Sequence, residues 1–131
     1  MSELARLHDQ IRACPLCRLS TTRTLAVPGE GPEAPEVMLV GEAPGYHEDQ
    51  QGRPFVGAAG QFLETLLSSA GLRREDVYIT NIVKCRPPNN RDPQPDEIAA
   101  CRPYLDRQIA LLGPRLVVTL GRHSMQIAFP G

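Results

Sequence analysis

The sequence contains no tryptophan, and aromatic residues amount to only 5%. Its core must therefore be built from aliphatic side chains, and an aromatic residue in a loop calls for a specific reason. Lysine is nearly absent, with Lys84 the single lysine among 14 basic residues. Positive charge is thus carried by guanidinium groups, which grip phosphate and carboxylate with two parallel hydrogen bonds. No apolar run approaches the roughly 18 residues of a membrane span. The opening MSELARLHDQ is too polar for a signal peptide, so a reducing compartment, the cytoplasm, is expected and no membrane partner. A net charge of −1 excludes a uniformly basic surface but leaves room for a local one. Residues 25–52 hold six acids and neither Lys nor Arg, whereas residues 82–91 hold Lys84, Arg86 and Arg91 and no acid.

With 131 residues and 41% hydrophobic content, one domain spanning 1–131 is expected, with a single core. Leu4, Leu7 and Ile11 recur at helical spacing behind a possible Ser2 cap, which predicts a helix over 3–13. Residues 18–35 read as loop. The continuous apolar run Val37–Val40 predicts a strand buried on both faces. A long loop to about Gly57 is expected next, then a helix over 59–70 with Phe62, Leu63, Leu66, Leu67 and Ala70 on one face, ended by Gly71. A second strand is expected over Val77–Val83, a proline-rich loop over 84–95, and a helix capped by Asp96 and bent or restarted at Pro103. A third strand over 116–120 and a short helix around 122–128 complete the order. Alternation of this kind predicts a parallel sheet with helices on both faces and ligands at the carboxyl ends of its strands. Those ends carry Gly41–Gly45, Asn81–Arg91 and Gly121–His123.

The four cysteines form a Cys14-x2-Cys17 pair followed, after a wide gap, by Cys85 and Cys101. Four thiolates can hold a tetrahedral zinc or an iron–sulfur cluster, and spacing leaves the two equal. Buried, unrelated thiols are the plainer alternative. In the loops, Gly41-Glu42-Ala43-Pro44-Gly45 follows a strand and offers backbone N–H groups to a ligand. Phe55, in Gly52-Arg53-Pro54-Phe55-Val56-Gly57, can stack on a planar base or simply plug the core. Asn81 can donate and accept at once, which suits the edge of a uracil, or it can cap a strand end.

Together these motifs resemble the family-4 uracil-DNA glycosylases. The likeness runs through Gly41–Gly45, Glu48-Asp49, Gly52–Gly57 and Ala59-Gly60, then Thr80-Asn81-Ile82-Val83-Lys84-Cys85-Arg86-Pro87-Pro88, Asn90-Arg91 and Cys101, and covers residues 4–125. It implies a three-layer α/β/α sandwich around a short parallel sheet. It implies a 4Fe–4S cluster on Cys14, Cys17, Cys85 and Cys101. The substrate would be uracil-containing DNA, single- or double-stranded, and the protein a monomer. The enzyme would flip deoxyuridine and hydrolyse its N-glycosidic bond in base excision repair.

By the same resemblance Phe55 stacks on the uracil and Asn81 bonds its polar edge, within a pocket formed with Gly41, Ala43, Pro44 and Gly45. Better-known uracil glycosylases carry an Asp where this chain has Ala43. Glu42, Asn90 and Glu48 are then the candidates to position the water, and Arg86 and Arg91 the candidates for phosphate contacts. The family also carries a His-Pro-Ser motif after a fourth strand, and His8, His47 and His123 do not match it. The chain is accordingly expected to correspond to the first two-thirds of such a domain and to have low activity, with a non-catalytic uracil- or DNA-binding module as the alternative.

Overall fold

The structure, a computed structural model, describes residues 2–120. Helix α1 (Glu3–Arg12) starts at Ser2, whose hydroxyl accepts the Ala5 N–H at 3.0 Å. Its Leu4, Leu7 and Ile11 are buried as their spacing predicts. Strand β1 (Val37–Gly41) runs at the centre of a three-stranded parallel sheet. It lies between β2 (Tyr78–Asn81) and β3 (Leu116–Thr119), giving the order β2-β1-β3.

Helices lie on both faces of the sheet. Met38, Val40 and Tyr78 pack with Leu7, Ile11 and Leu105 of the terminal helices, while Leu39 and Ile79 pack with Leu63 and Leu67. This is the expected α/β layering, with alternate residues of each strand serving opposite faces. The outer edge of β2 is capped by a bridge between Glu30 and Ile79, whose N–H groups donate to one another's carbonyls at 2.9 and 2.8 Å.

Four details depart from the sequence expectations. The loop expected up to Gly57 contains a short helix, α2 (Tyr46–Gln51). It has no apolar stripe to betray it, because it buries carboxylates, Glu48 and Asp49, rather than hydrocarbon. Helix α3 (Gly57–Ser69) buries Leu63 and Leu67 but leaves Phe62 and Leu66 exposed, at 66% and 44%, with Ala70 also exposed. The apolar face is thus narrower than its sequence suggests.

Helix α4 (Pro95–Leu112) begins one residue before Asp96, and the capping carboxylate is that of Glu97, which accepts the Gln94 N–H at 2.8 Å. The helix runs on through Pro103. Pro103 lies on the solvent side, and the buried stripe Cys101, Leu105, Gln108 and Leu112 holds both halves to the core. Packing therefore outweighs the missing N–H. Gly113 ends it in the left-handed conformation at φ 56°. The last expected helix, around 122–128, and the Gly121–His123 turn lie outside the described residues.

Candidate functional site

The carboxyl ends of β1 and β2 meet at Gly41 and Asn81, which are register partners. A Cβ on residue 41 would lie 2.4 Å from Asn81 Oδ1 and 2.5 Å from Phe55 Cζ. Only glycine leaves room for those two side chains to converge. Ala43, Glu48, Phe55, Ala59 and Asn81 line a narrow pocket there. Asn81 is 2% exposed as a residue, and among the described residues its side-chain amide makes no hydrogen bond, its atoms remaining reachable from the pocket. An amide that makes no protein hydrogen bond and opens towards a pocket is available to a ligand there.

Phe55 holds its position under constraint. It is a non-glycine residue at φ 49°, a conformation that costs of order 1 kcal/mol or more unless its surroundings impose it. Arg74 imposes it, donating to the carbonyls of Pro54 and, at 2.6 Å, of Phe55. Glu30 joins Arg74 at 3.3 Å and Arg53 at 2.7 Å, so an Arg–Glu–Arg group grips the loop. Hydrogen bonding to Arg53 is the main reason the Glu30 carboxyl is held below its ordinary range. Behind the ring, a Cβ on Gly60 would meet the Phe55 carbonyl oxygen at 2.1 Å, so helix α3 can approach only through a glycine.

Glu48 is buried, and both its oxygens accept backbone N–H groups, from Gly45 at 2.9 Å and Val56 at 3.0 Å. It fastens the Gly41–Gly45 turn to the Phe55 loop. Asp49, which the sequence did not single out, fastens α2 to Thr24 and Leu25 through N–H donors at 2.8 and 3.3 Å. Glu42 and Asn90 line one larger cleft of about 280 Å³ with Pro44, Gly45, Pro87 and Arg91, continuous with the narrow pocket through Ala43, Glu48 and Ala59.

Beside the cleft-lining Asn90, Arg86 donates from Nε to Asn90 Oδ1 at 2.7 Å and lies over the ring of Tyr46, 5.4 Å from its centre. Tyr46 is 53% exposed. Arg91 behaves differently, since its two terminal nitrogens each bond one oxygen of buried Glu97 at 2.8 Å. Its fork is engaged within the protein, where it anchors the loop to α4. Arg18 reaches the same helix start, pairing with Asp96 and, at 3.4 Å, with Glu97.

All four cysteines line one cavity, shared with Ile11, Arg23, Lys84 and Tyr104 among others. None is in a disulfide. Arg23 Nη1 donates to Cys85 Sγ at 2.9 Å, and the Lys84 backbone N–H donates to Cys101 Sγ at 3.2 Å. Burial pushes the Cys85 thiol up and raises Cys101 to about 11. Ligation by a metal group would override that, because coordinated thiols lose their protons. Among the described residues no three Cys, His, Asp or Glu side chains are gathered about a point fit for one metal ion. The thiols stand around a cavity instead. Four sulfurs around one cavity and two N–H···S donors, one of them the Arg23 guanidinium, fit an anionic cluster.

A buried polar network, missed at the level of sequence, lies between the pocket and the cysteine cavity. Lys84, 1% exposed, donates from Nζ to Thr80 Oγ1 at 2.6 Å, to Gln108 Oε1 at 2.8 Å and to the Asn81 carbonyl. Burial draws its ammonium group down to about 7. Gln108 in turn donates to the Pro28 carbonyl at 2.7 Å and to Tyr78 Oη at 3.0 Å. No apolar periodicity could reveal Gln108, since it occupies a core position of α4 as a polar residue.

The sequence profile of the uracil DNA glycosylase superfamily matches residues 28–131. A type-4 uracil-DNA glycosylase of Sulfurisphaera tokodaii is 55% identical over 98% of this chain and 59% of its own length. One of Archaeoglobus fulgidus is 53% identical over 98% and 65%, respectively, and one of Thermotoga maritima 48% identical over 95% and 65%. The chain thus spans about six-tenths of the length of these relatives. Its layered sheet agrees with that likeness, and the chain belongs to the uracil DNA glycosylase superfamily.

Proposed function

We propose that the chain recognises uracil in DNA and excises it by hydrolysing the N-glycosidic bond, as part of base excision repair. The observation that carries this reading is the pocket-facing amide of Asn81, which makes no hydrogen bond among the described residues, beside the constrained ring of Phe55. A uracil stacked on Phe55 would offer Asn81 an N–H and a carbonyl side by side, and the amide can meet both. The names of the relatives support the same activity.

Cleavage would leave an anionic uracil and a cationic sugar, so the site must stabilise charge and guide a water. Glu42 and Asn90, which line the cleft that continues from the pocket, would orient that water. Glu48, with both oxygens engaged, would position the two loops instead. Arg86 would meet the phosphate backbone beside that cleft.

Cys14, Cys17, Cys85 and Cys101 would hold a 4Fe–4S cluster. When bound, it supplies a crosslink between the segment after α1, the end of β2 and α4. The convergence of four free thiols on one cavity supports this, and suits a reducing compartment such as the cytoplasm.

The test is the release of free uracil from a labelled uracil-containing oligonucleotide, with thymine- and cytosine-containing strands as controls. Release from the uracil strand alone is expected. Equal binding of all three strands would overturn the recognition. Selective binding with no release would overturn the hydrolysis.

A further inference from the structure

An ammonium group buried as deeply as that of Lys84 costs several kcal/mol unless its donors are met. A methionine would fill nearly the same space without that cost. The charge provides direction instead: three N–H donors and three acceptors, two from β2 (Thr80 and Asn81) and one from α4 (Gln108). Among the described residues the Asn81 side chain makes no hydrogen bond to orient it, so the direction of its amide depends on its backbone and on packing beside Gly41. On one side that backbone is held by register with Gly41. On the other its carbonyl is held by Lys84. Through its own backbone, Lys84 also donates to Cys101 Sγ at 3.2 Å and accepts from Val27 N–H at 2.7 Å.

We propose that Lys84 is the positioning residue for Asn81, fixing the peptide that aims the uracil-reading amide and tying that peptide to the cysteine cavity. The proposal rests on Asn81 being the residue that reads the base. It gives the buried lysine a part in specificity without contact to substrate. Loss of the ammonium group would leave the Asn81 carbonyl, Thr80 hydroxyl and Gln108 carbonyl oxygen short of a donor in the core. The end of β2 would then relax, and with it the direction of the amide.

The experiment compares the unaltered chain with Lys84→Met for binding of uracil- and cytosine-containing oligonucleotides, with cluster content read from visible absorbance and stability from thermal melting. In Lys84→Met the uracil-over-cytosine preference should fall roughly tenfold, the scale set by one broken buried hydrogen bond to a charged group, while the cluster absorbance persists. A lower melting temperature with an unchanged preference would show a merely structural role and overturn the proposal. Should Lys84→Met fail to fold, Gln108→Met removes one of the three acceptors. A partial loss of preference is then expected, and an unchanged preference overturns the proposal equally. If the unaltered chain shows no preference for uracil, the reading of Asn81 itself fails. If it shows one that Lys84→Met retains, only the role of Lys84 fails.

Discussion

Gly41 and Asn81 end neighbouring strands in register, and the missing Cβ of the first is the space the second uses. A methyl group at residue 41 would stand 2.4 Å from Asn81 Oδ1 and 2.5 Å from the Phe55 ring. Gly41→Ala should therefore fold, because the crowded atoms can swing into the pocket, but should weaken binding of a uracil-containing oligonucleotide at least about tenfold. Equal affinity in a titration of both proteins would contradict the geometry.

Asn81→Asp keeps the shape of the side chain and removes its N–H donor. The uracil carbonyl then faces a carboxylate oxygen rather than an amide proton. Uracil release and uracil binding should both fall by roughly two orders of magnitude, since a site built to bond a polar edge rejects one it cannot satisfy. Parallel assays on uracil and cytosine strands would check this, and an unchanged preference would remove Asn81 from recognition.

The two candidate phosphate arginines should separate. Arg86→Ala should flatten the salt dependence of DNA binding by about 0.9 in log–log slope on duplex DNA, the share of one phosphate contact. Arg91→Ala should leave that slope alone and lower the melting temperature, because it strips the closer of two arginine partners from buried Glu97. Binding isotherms at several salt concentrations, with melting curves of both variants, would show whether the roles divide this way.

Cys17→Ser should lose cluster and stability together if the four thiols hold one group that ties the end of α1 to β2 and α4. Removing the iron with a chelator should have the same effect on the unaltered chain. Arg23→Leu is milder, withdrawing the N–H···S bond to Cys85 and one bond to the Arg12 carbonyl, so it should keep the cluster while making it easier to strip. Iron and sulfide content alongside melting would test all three, and a stable, uracil-binding Cys17→Ser protein without iron would sink the structural role.

His8 adds a pH dependence. Its Nε2 lies 2.7 Å from Tyr78 Oη, and its nearest charges are Arg12, Lys84 and Asp9. Burial is the main cause that lowers its pKa below the ordinary 6.5, with Arg12 and Lys84 adding to it and Asp9 opposing. The folded state thus favours the neutral ring, while the unfolded chain takes up a proton near 6.5. The contribution is complete above that pH and is lost as the pH falls below it towards the folded value. Denaturation midpoints measured from about pH 8 to pH 5 should fall less steeply in His8→Leu than in the unaltered chain, and parallel curves would rule the histidine out.

The alternating order, the strand β1, the buried stripe of α1 and the glycine stop of α4 were legible in the sequence, because apolar periodicity and backbone freedom are local properties. The residues of the proposed site could be picked out in the same way, since a glycine-rich turn, a loop phenylalanine and four cysteines declare their chemistry one residue at a time. Helix α2 escaped notice because it buries carboxylates against backbone N–H groups supplied by Thr24, Leu25 and Val56. Pro103 promised a break that long-range packing on both sides prevents. Arg91 reads in the sequence as a phosphate candidate, and only the tertiary structure shows its fork engaged by Glu97. Lys84 stood in the sequence as the lone lysine of a basic loop, and only the tertiary structure turned its ammonium group inward. Composition and periodicity determine which groups the chain possesses and which face of each element seeks the core. Which donor meets which acceptor depends on segments distant in sequence, such as Gln108 and Asn81, being brought within 3 Å of one lysine.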